Sequence, residues 1–239
     1  MQAEELMAQG RQLVKEGKLN KALALFVQAT EVAPESIDAW MEQGDLLAAL
    51  GRFEDALVAF QRAIVLNPQN GLAWNQKGWS LNMLGRCEEA LEALERGREV
   101  DPGNPNIWGN MAFALNRLKR YAEALEMSER ALAIHPKHVP SLTNKGGTLL
   151  SLGRYAEALE ICDRVLALEP NAVRWANRGA ALLMLQRYAE ALESLERSLV
   201  LDPSDVSTWY VKSMVLSRLG RMREAQEARA RAEALDKRR

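Results

Sequence analysis

The stretch Ile37–Asn70, IDAWMEQGDLLAALGRFEDALVAFQRAIVLNPQN, decides how the rest of this chain reads. Shifted by 34 residues it aligns with its neighbours: prolines recur at Pro34, Pro68, Pro102, Pro136 and Pro170, then at Pro203 after one 33-residue step. A period of this length marks a repeat architecture, in which each copy buries its apolar face only against the next. Seven copies follow, at 3–36, 37–70, 71–104, 105–138, 139–171, 172–205 and 206–239. Each reads as two short helices. In the second copy the first helix runs from about Ile37 to Leu50 and stops at Gly51, and the second from about Phe53 to Leu66, before Asn67-Pro68. Glycine just past a helix and proline shortly after it are both chain-stop signals. Gly17, Gly85, Gly153 and Gly220 repeat the first stop, and Lys119 and Gln186 replace it in two copies.

Large residues (Leu6, Trp40, Trp74, Trp108, Leu142, Trp175, Trp209) recur four places into each first helix. Four residues later comes a small one: Gly10, Gly44, Gly78, Ala112, Gly146, Gly179, Ser213. Such i, i+4 pairs share one face, and the small member lets a partner helix approach. Within the second copy, Trp40, Gly44, Leu47, Ala56, Phe60, Ala63 and Pro68 fall at the spacings of the tetratricopeptide repeat. The chain therefore resembles a tetratricopeptide repeat array from Ala3 to Arg239, with Gln43 where that family usually has Leu and Leu47 where it often has Tyr. The resemblance implies an all-α fold, a right-handed α-solenoid of seven helix-turn-helix repeats forming a single array over residues 1–239. It also implies that the first helices line a concave groove.

Composition adds limits. Net charge is −1 and the sequence pI near 6.2, so no basic field argues for nucleic acid. No apolar run approaches a membrane span, and MQAEELMAQG lacks a signal pattern, which makes the cytoplasm the expected compartment. Cys87 and Cys162 lie in different copies and suggest no disulfide; Cys162 takes the place of Phe60 and is expected to be buried and inert. His135 and His138 alone are too few for a metal site. With no cofactor motif and no credible Cys/His dyad, the chain does not read as an enzyme.

All but three aromatics occupy recurring framework places. Trp79 and Phe113 stand at the ninth place of their copies and Tyr210 at the fifth. At 100° per residue, places two, five, six, nine and thirteen form one stripe opposite the Trp/Gly seam, which in the family faces the groove. The three aromatics are thus candidate anchors. Gly109 and Gly147 fall on the same stripe in mid-helix, where each costs about 1 kcal/mol relative to Ala. The sixth place reads Ala8, Glu42, Gln76, Asn110, Asn144, Asn177, Val211. A carboxamide donates and accepts, so it can pair with both halves of a peptide group. The row is similar to the asparagine ladder with which arrays such as those of the O-linked N-acetylglucosamine transferases hold extended peptides. It implies that Gln76, Asn110, Asn144 and Asn177 contact a ligand, with Asn75 and Met83 nearby. The N-terminal end of the stripe is acidic (Glu4, Asp38, Glu42, Asp45), partly offset by Arg11 and Lys15. The carboxylate clamp by which some relatives bind chaperone tails is not rebuilt, since its places hold Met7, Met41, Asn75, Asp45 and Leu72.

The expected function is a non-enzymatic protein-interaction scaffold that takes an extended peptide or disordered segment in its groove. Two alternatives stand beside it: a regulatory or substrate-recruiting module of a larger, glycosyltransferase-like protein, and a self-assembling scaffold whose oligomeric state the sequence leaves open. Arg229 replaces the Phe26, Phe60 or Leu94 of earlier copies, so the last helix, MREAQEARARAEALDKRR, is expected to present a polar end.

Overall fold

The structure, a computed structural model, describes residues 2–237; Met1 and the Arg238 and Arg239 of the seventh copy lie outside the described residues. Among these there are fourteen helices and no strand. Helices as far as Ile134 make one unit and those from His135 a second. The first unit pairs α1 (Gln2–Lys15) with α2 (Leu19–Val32), α3 (Ile37–Ala49) with α4 (Phe53–Leu66), α5 (Gly71–Met83) with α6 (Cys87–Val100), and α7 (Pro105–Arg117) with α8 (Tyr121–Ile134). The second pairs α9 (Val139–Ser151) with α10 (Tyr155–Leu168), α11 (Ala172–Met184) with α12 (Tyr188–Leu201), and α13 (Val206–Arg218) with α14 (Met222–Asp236). Inside each unit a helix packs on its pair-mate and each second helix on the next first helix, so both units are α-solenoids.

The glycine of each pair sits where a side chain would collide. A Cβ on Gly10, Gly44 or Gly78 would lie 2.4, 2.5 and 2.4 Å from Phe26, Phe60 and Leu94, and one on Gly179 would lie 2.7 Å from Leu195. Phe26, Phe60, Leu94 and Leu195 are buried because they fill these notches. The tryptophan one turn earlier reaches back to the preceding loop. The indole N–H groups of Trp40, Trp74, Trp108 and Trp209 each donate to the carbonyl of the inter-repeat proline six residues before them, at 2.9 Å. Where the period drops to 33 residues, the Arg174 guanidinium instead takes the carbonyl of Glu169.

Helix ends follow from local chemistry. Side chains of Ser36, Asn70, Asn104, Asn171 and Asp205 accept from N–H groups in the first turn of the helix they precede. Second helices begin differently: Arg52, Arg86, Arg120, Arg154, Arg187 and Arg221 ion-pair at 2.6 Å with Asp55, Glu89, Glu123, Glu157, Glu190 and Glu224, three residues on. These pairs are exposed and add little stability each. The turn inside each pair needs a left-handed residue. Gly51 meets that need at φ 74°, and Lys119 and Gln186 adopt φ 60° despite their side chains.

Candidate ligand-binding face

Successive first helices of the first unit touch, and one register relation governs how. The ninth place of one repeat meets the sixth place of the next. Arg11 binds Glu42 at 2.9 Å; the Gln76 carboxamide donates to Asp45 at 2.6 Å. Asp45 is exposed as a residue, yet loss of water around its carboxyl holds it above the ordinary carboxylate range. The Gln76 hydrogen bond opposes that shift and the Glu42 charge adds to it.

At the next step the ninth place is Trp79, which offers no acceptor, and Asn110 turns elsewhere. Its amide donates to the Asn75 side-chain oxygen at 2.9 Å, and the Asn75 amide approaches the Gln76 oxygen at 3.4 Å. Asn82 donates to the Asn110 backbone carbonyl at 2.9 Å, while its own side-chain oxygen is buried without a hydrogen-bond partner. Asp45, Gln76, Asn75 and Asn110 thus form one hydrogen-bonded chain across α3, α5 and α7. Trp79 and Phe113, both half-buried, pack edge to face beside it with ring centroids 5.9 Å apart. Met83 is exposed at the end of α5.

The second unit differs at the same places. Gly147 holds the ninth place of its repeat, and an added Cβ there would meet nothing within 4 Å. Asn177, half-buried in α11, lines the same small cavity as Gly147, and among the described residues no hydrogen bond engages its carboxamide. Asn144 is half-buried in α9 and Tyr210 is exposed in α13.

Three expectations are revised. The fifth place is expected on the groove, but Met7, Met41, Asn75 and Gly109 of the first unit are buried, while Thr143 and Tyr210 of the second are exposed. Asn75 meets the next first helix and accepts from Asn110, so it holds Asn110 in place and is itself covered. The rungs Gln76 and Asn110 are expected to contact a ligand, and both are already bonded to neighbours. The last pair is less polar than its sequence implied. Arg229 is exposed and paired with Glu233, but Met214 and Met222 are 56% and 58% exposed.

Sequence reading missed an open trough of about 990 Å³ on the second-helix side of the first unit. Val58 and Leu57 of α4, Trp74 and Lys77 of α5, and Glu92 of α6 line it. Lys77 donates to Gln61 at 2.8 Å and lies over the Trp74 ring, and burial lowers its pKa. Glu89, Glu92 and Arg96 join Leu57, Val58 and Leu81 in the trough's lining, a grouping that only packing brings about. No group of three or more metal-ligating side chains is gathered among the described residues, and none of their helices is long and apolar enough to cross a membrane.

No curated protein sequence matches the chain. Solved structures do. A tetratricopeptide repeat protein from Parabacteroides merdae is 17% identical, with a TM-score of 0.76 over 98% of this chain and 93% of that one. A chain of the APC/C hetero-tetramer Cut9–Hcn1 is 20% identical with a TM-score of 0.81, covering 95% of this chain and 45% of that one. YrrB, described as a TPR protein with an unusual peptide-binding site, is 21% identical with a TM-score of 0.59, over 78% of this chain and 97% of that one. At these identities the likeness establishes the fold. Sequence models of the tetratricopeptide repeat match residues 7–71, 73–114, 104–168 and 172–205. Those matches take in the notches at Gly10, Gly44, Gly78 and Gly179 and the framework residues Trp40, Trp74 and Trp108, and the chain belongs to the tetratricopeptide repeat family.

Proposed function

We propose that this protein is a non-enzymatic interaction scaffold that binds an extended peptide or disordered segment along the first-helix face, its seven repeats serving as one array. The observation that carries this reading is the hydrogen-bonded chain through Asp45, Gln76, Asn75 and Asn110. A carboxamide held by its neighbours is pre-oriented, and a pre-oriented group loses less entropy when a ligand arrives. Asn110 spends one amide hydrogen on Asn75, which turns its side-chain oxygen and second hydrogen toward other partners. The Trp79–Phe113 pair beside it supplies apolar surface for a ligand side chain. YrrB, a structural relative with a peptide-binding site, makes such a role plausible for the fold.

The energetics fit a sequence-tolerant binder. Each carboxamide–backbone hydrogen bond contributes about 1 kcal/mol net, so the rungs alone supply only a few kcal/mol and the aromatics must add the rest. The test is the triple change Asn110→Ala, Asn144→Ala and Asn177→Ala, with peptide affinity measured beside thermal stability. Binding should fall by about tenfold or more while the helical fold persists. Unchanged affinity would remove the carboxamides from the proposal.

A further inference from the structure

In the first three repeats and the sixth, a glycine of the first helix is filled by a large side chain of the second. The fifth repeat keeps the glycine, Gly146, but places Cys162 where the others have Phe26, Phe60, Leu94 and Leu195. Two small residues face each other, and the helices do not close the gap. The nearest atom to a Cβ on Gly146 is a methyl of Ile161 at 3.3 Å, in contrast to the 2.4–2.7 Å collisions elsewhere. What remains is a cavity of about 20 Å³, with Leu150, Ile161 and Cys162 around it and with Gly147 and Asn177 also in its lining. That volume holds one water-sized group; Leu142, Leu150, Ile161 and Val165 in its lining suit a methyl, and Thr143, Arg174 and Asn177 add polar groups to it. Two features place a peptide beside it. Gly147 leaves the helix surface bare, so a backbone can come close. Asn177 has no side-chain or backbone partner among the described residues, unlike Gln76 and Asn110.

We propose that this cavity is a specificity pocket for an alanine-sized side chain of the bound peptide, whose backbone is taken by Asn177. The proposal rests on the peptide-binding reading above and names the residue class selected at one point of it. Larger side chains do not enter because α10 is packed against both α9 and α11, and these helices would have to move apart. Overfilling such a site costs affinity by roughly tenfold or more. The rim carboxamide orients the peptide, so the methyl points inward only in one backbone register.

The experiment uses the full chain to select binders from a phage-displayed library of random dodecapeptides. Synthetic copies of the best binder are then compared. Selected peptides should share an alanine at one position, and changing it to Val or Leu should weaken binding about tenfold. Two protein variants fill the cavity from opposite sides: Gly146→Ala adds one methyl beside Ile161, and Cys162→Val adds one beside Gly146. Both should weaken the alanine peptide several-fold, and both should bind its Ala→Gly version at least as well as the parent peptide. That reversal separates an occupied pocket from a structural defect, which would weaken both peptides alike. Equal loss for both peptides, or no response to either variant, overturns the pocket while leaving groove binding in place. A library that yields no binder overturns both.

Discussion

At the residue scale, glycines that look alike in sequence have opposite roles. Gly44 lies where a Cβ would stand 2.5 Å from the Phe60 ring, whereas one on Gly147 would meet open space. Gly44→Ala should therefore destabilise by about 1–3 kcal/mol through overpacking, and Gly147→Ala should stabilise by about 1 kcal/mol through helix propensity. Chemical denaturation of the two variants checks both signs. Asp45 gives a pH prediction. Its folded-state pKa is raised, so the ionised carboxylate is disfavoured in the folded chain and its cost is fully present at neutral pH. The cost fades as pH falls through the folded pKa toward the unfolded one. Asp45→Asn should raise the melting temperature at neutral pH, with the gain shrinking at about pH 3; a gain independent of pH would contradict this assignment. The sequence identified Trp79, Phe113 and the row of carboxamides correctly as positions on first helices. It could not distinguish Asn75 from Gln76 as covered and half-covered, because one residue of helical rotation decides that and 100° steps do not locate the seam. Nor did it show that the ninth place sets the state of the sixth, a relation between residues some thirty apart.

Elements are where sequence and structure agree most closely. Most helices of the described residues start or stop within a few residues of a proline or glycine signal, since those signals act on the local backbone alone. The two exceptional turns carry a testable cost. Lys119 and Gln186 hold φ 60°, a conformation that penalises a Cβ by roughly 1 kcal/mol or more. Lys119→Gly and Gln186→Gly should each raise stability by about that amount, measured by urea titration. Loss of stability in either would mean that the side chain makes a contact worth more than the strain. The six Arg–Asp/Glu pairs at the starts of second helices were legible in retrospect as an R-x-x-E or R-x-x-D spacing. They escaped notice because single surface charges carry no pattern until aligned by repeat.

For the molecule as a whole, contacts are local to neighbouring repeats, so unfolding should be less cooperative than in a compact domain of equal length. A single sharp transition with equal calorimetric and van't Hoff enthalpies would argue against that. The first unit presents two faces on which the proposed binding can be tested: the first-helix face with Asn110, Trp79 and Phe113, and the trough with Trp74 and Lys77. Their indole N–H groups distinguish them directly. Trp74 donates to the Pro68 carbonyl, as its framework counterparts do to theirs, while Trp79 stands against Phe113. The decisive measurement is a ¹⁵N-resolved NMR titration of the full chain with a selected peptide, following side-chain amide and indole N–H signals. Binding at the first-helix face predicts shifts for Trp79, Asn110 and Asn177, with Trp40 and Trp74 still. Shifts confined to Trp74 and the side chains of the trough, with Trp79 and the asparagines unmoved, would contradict it.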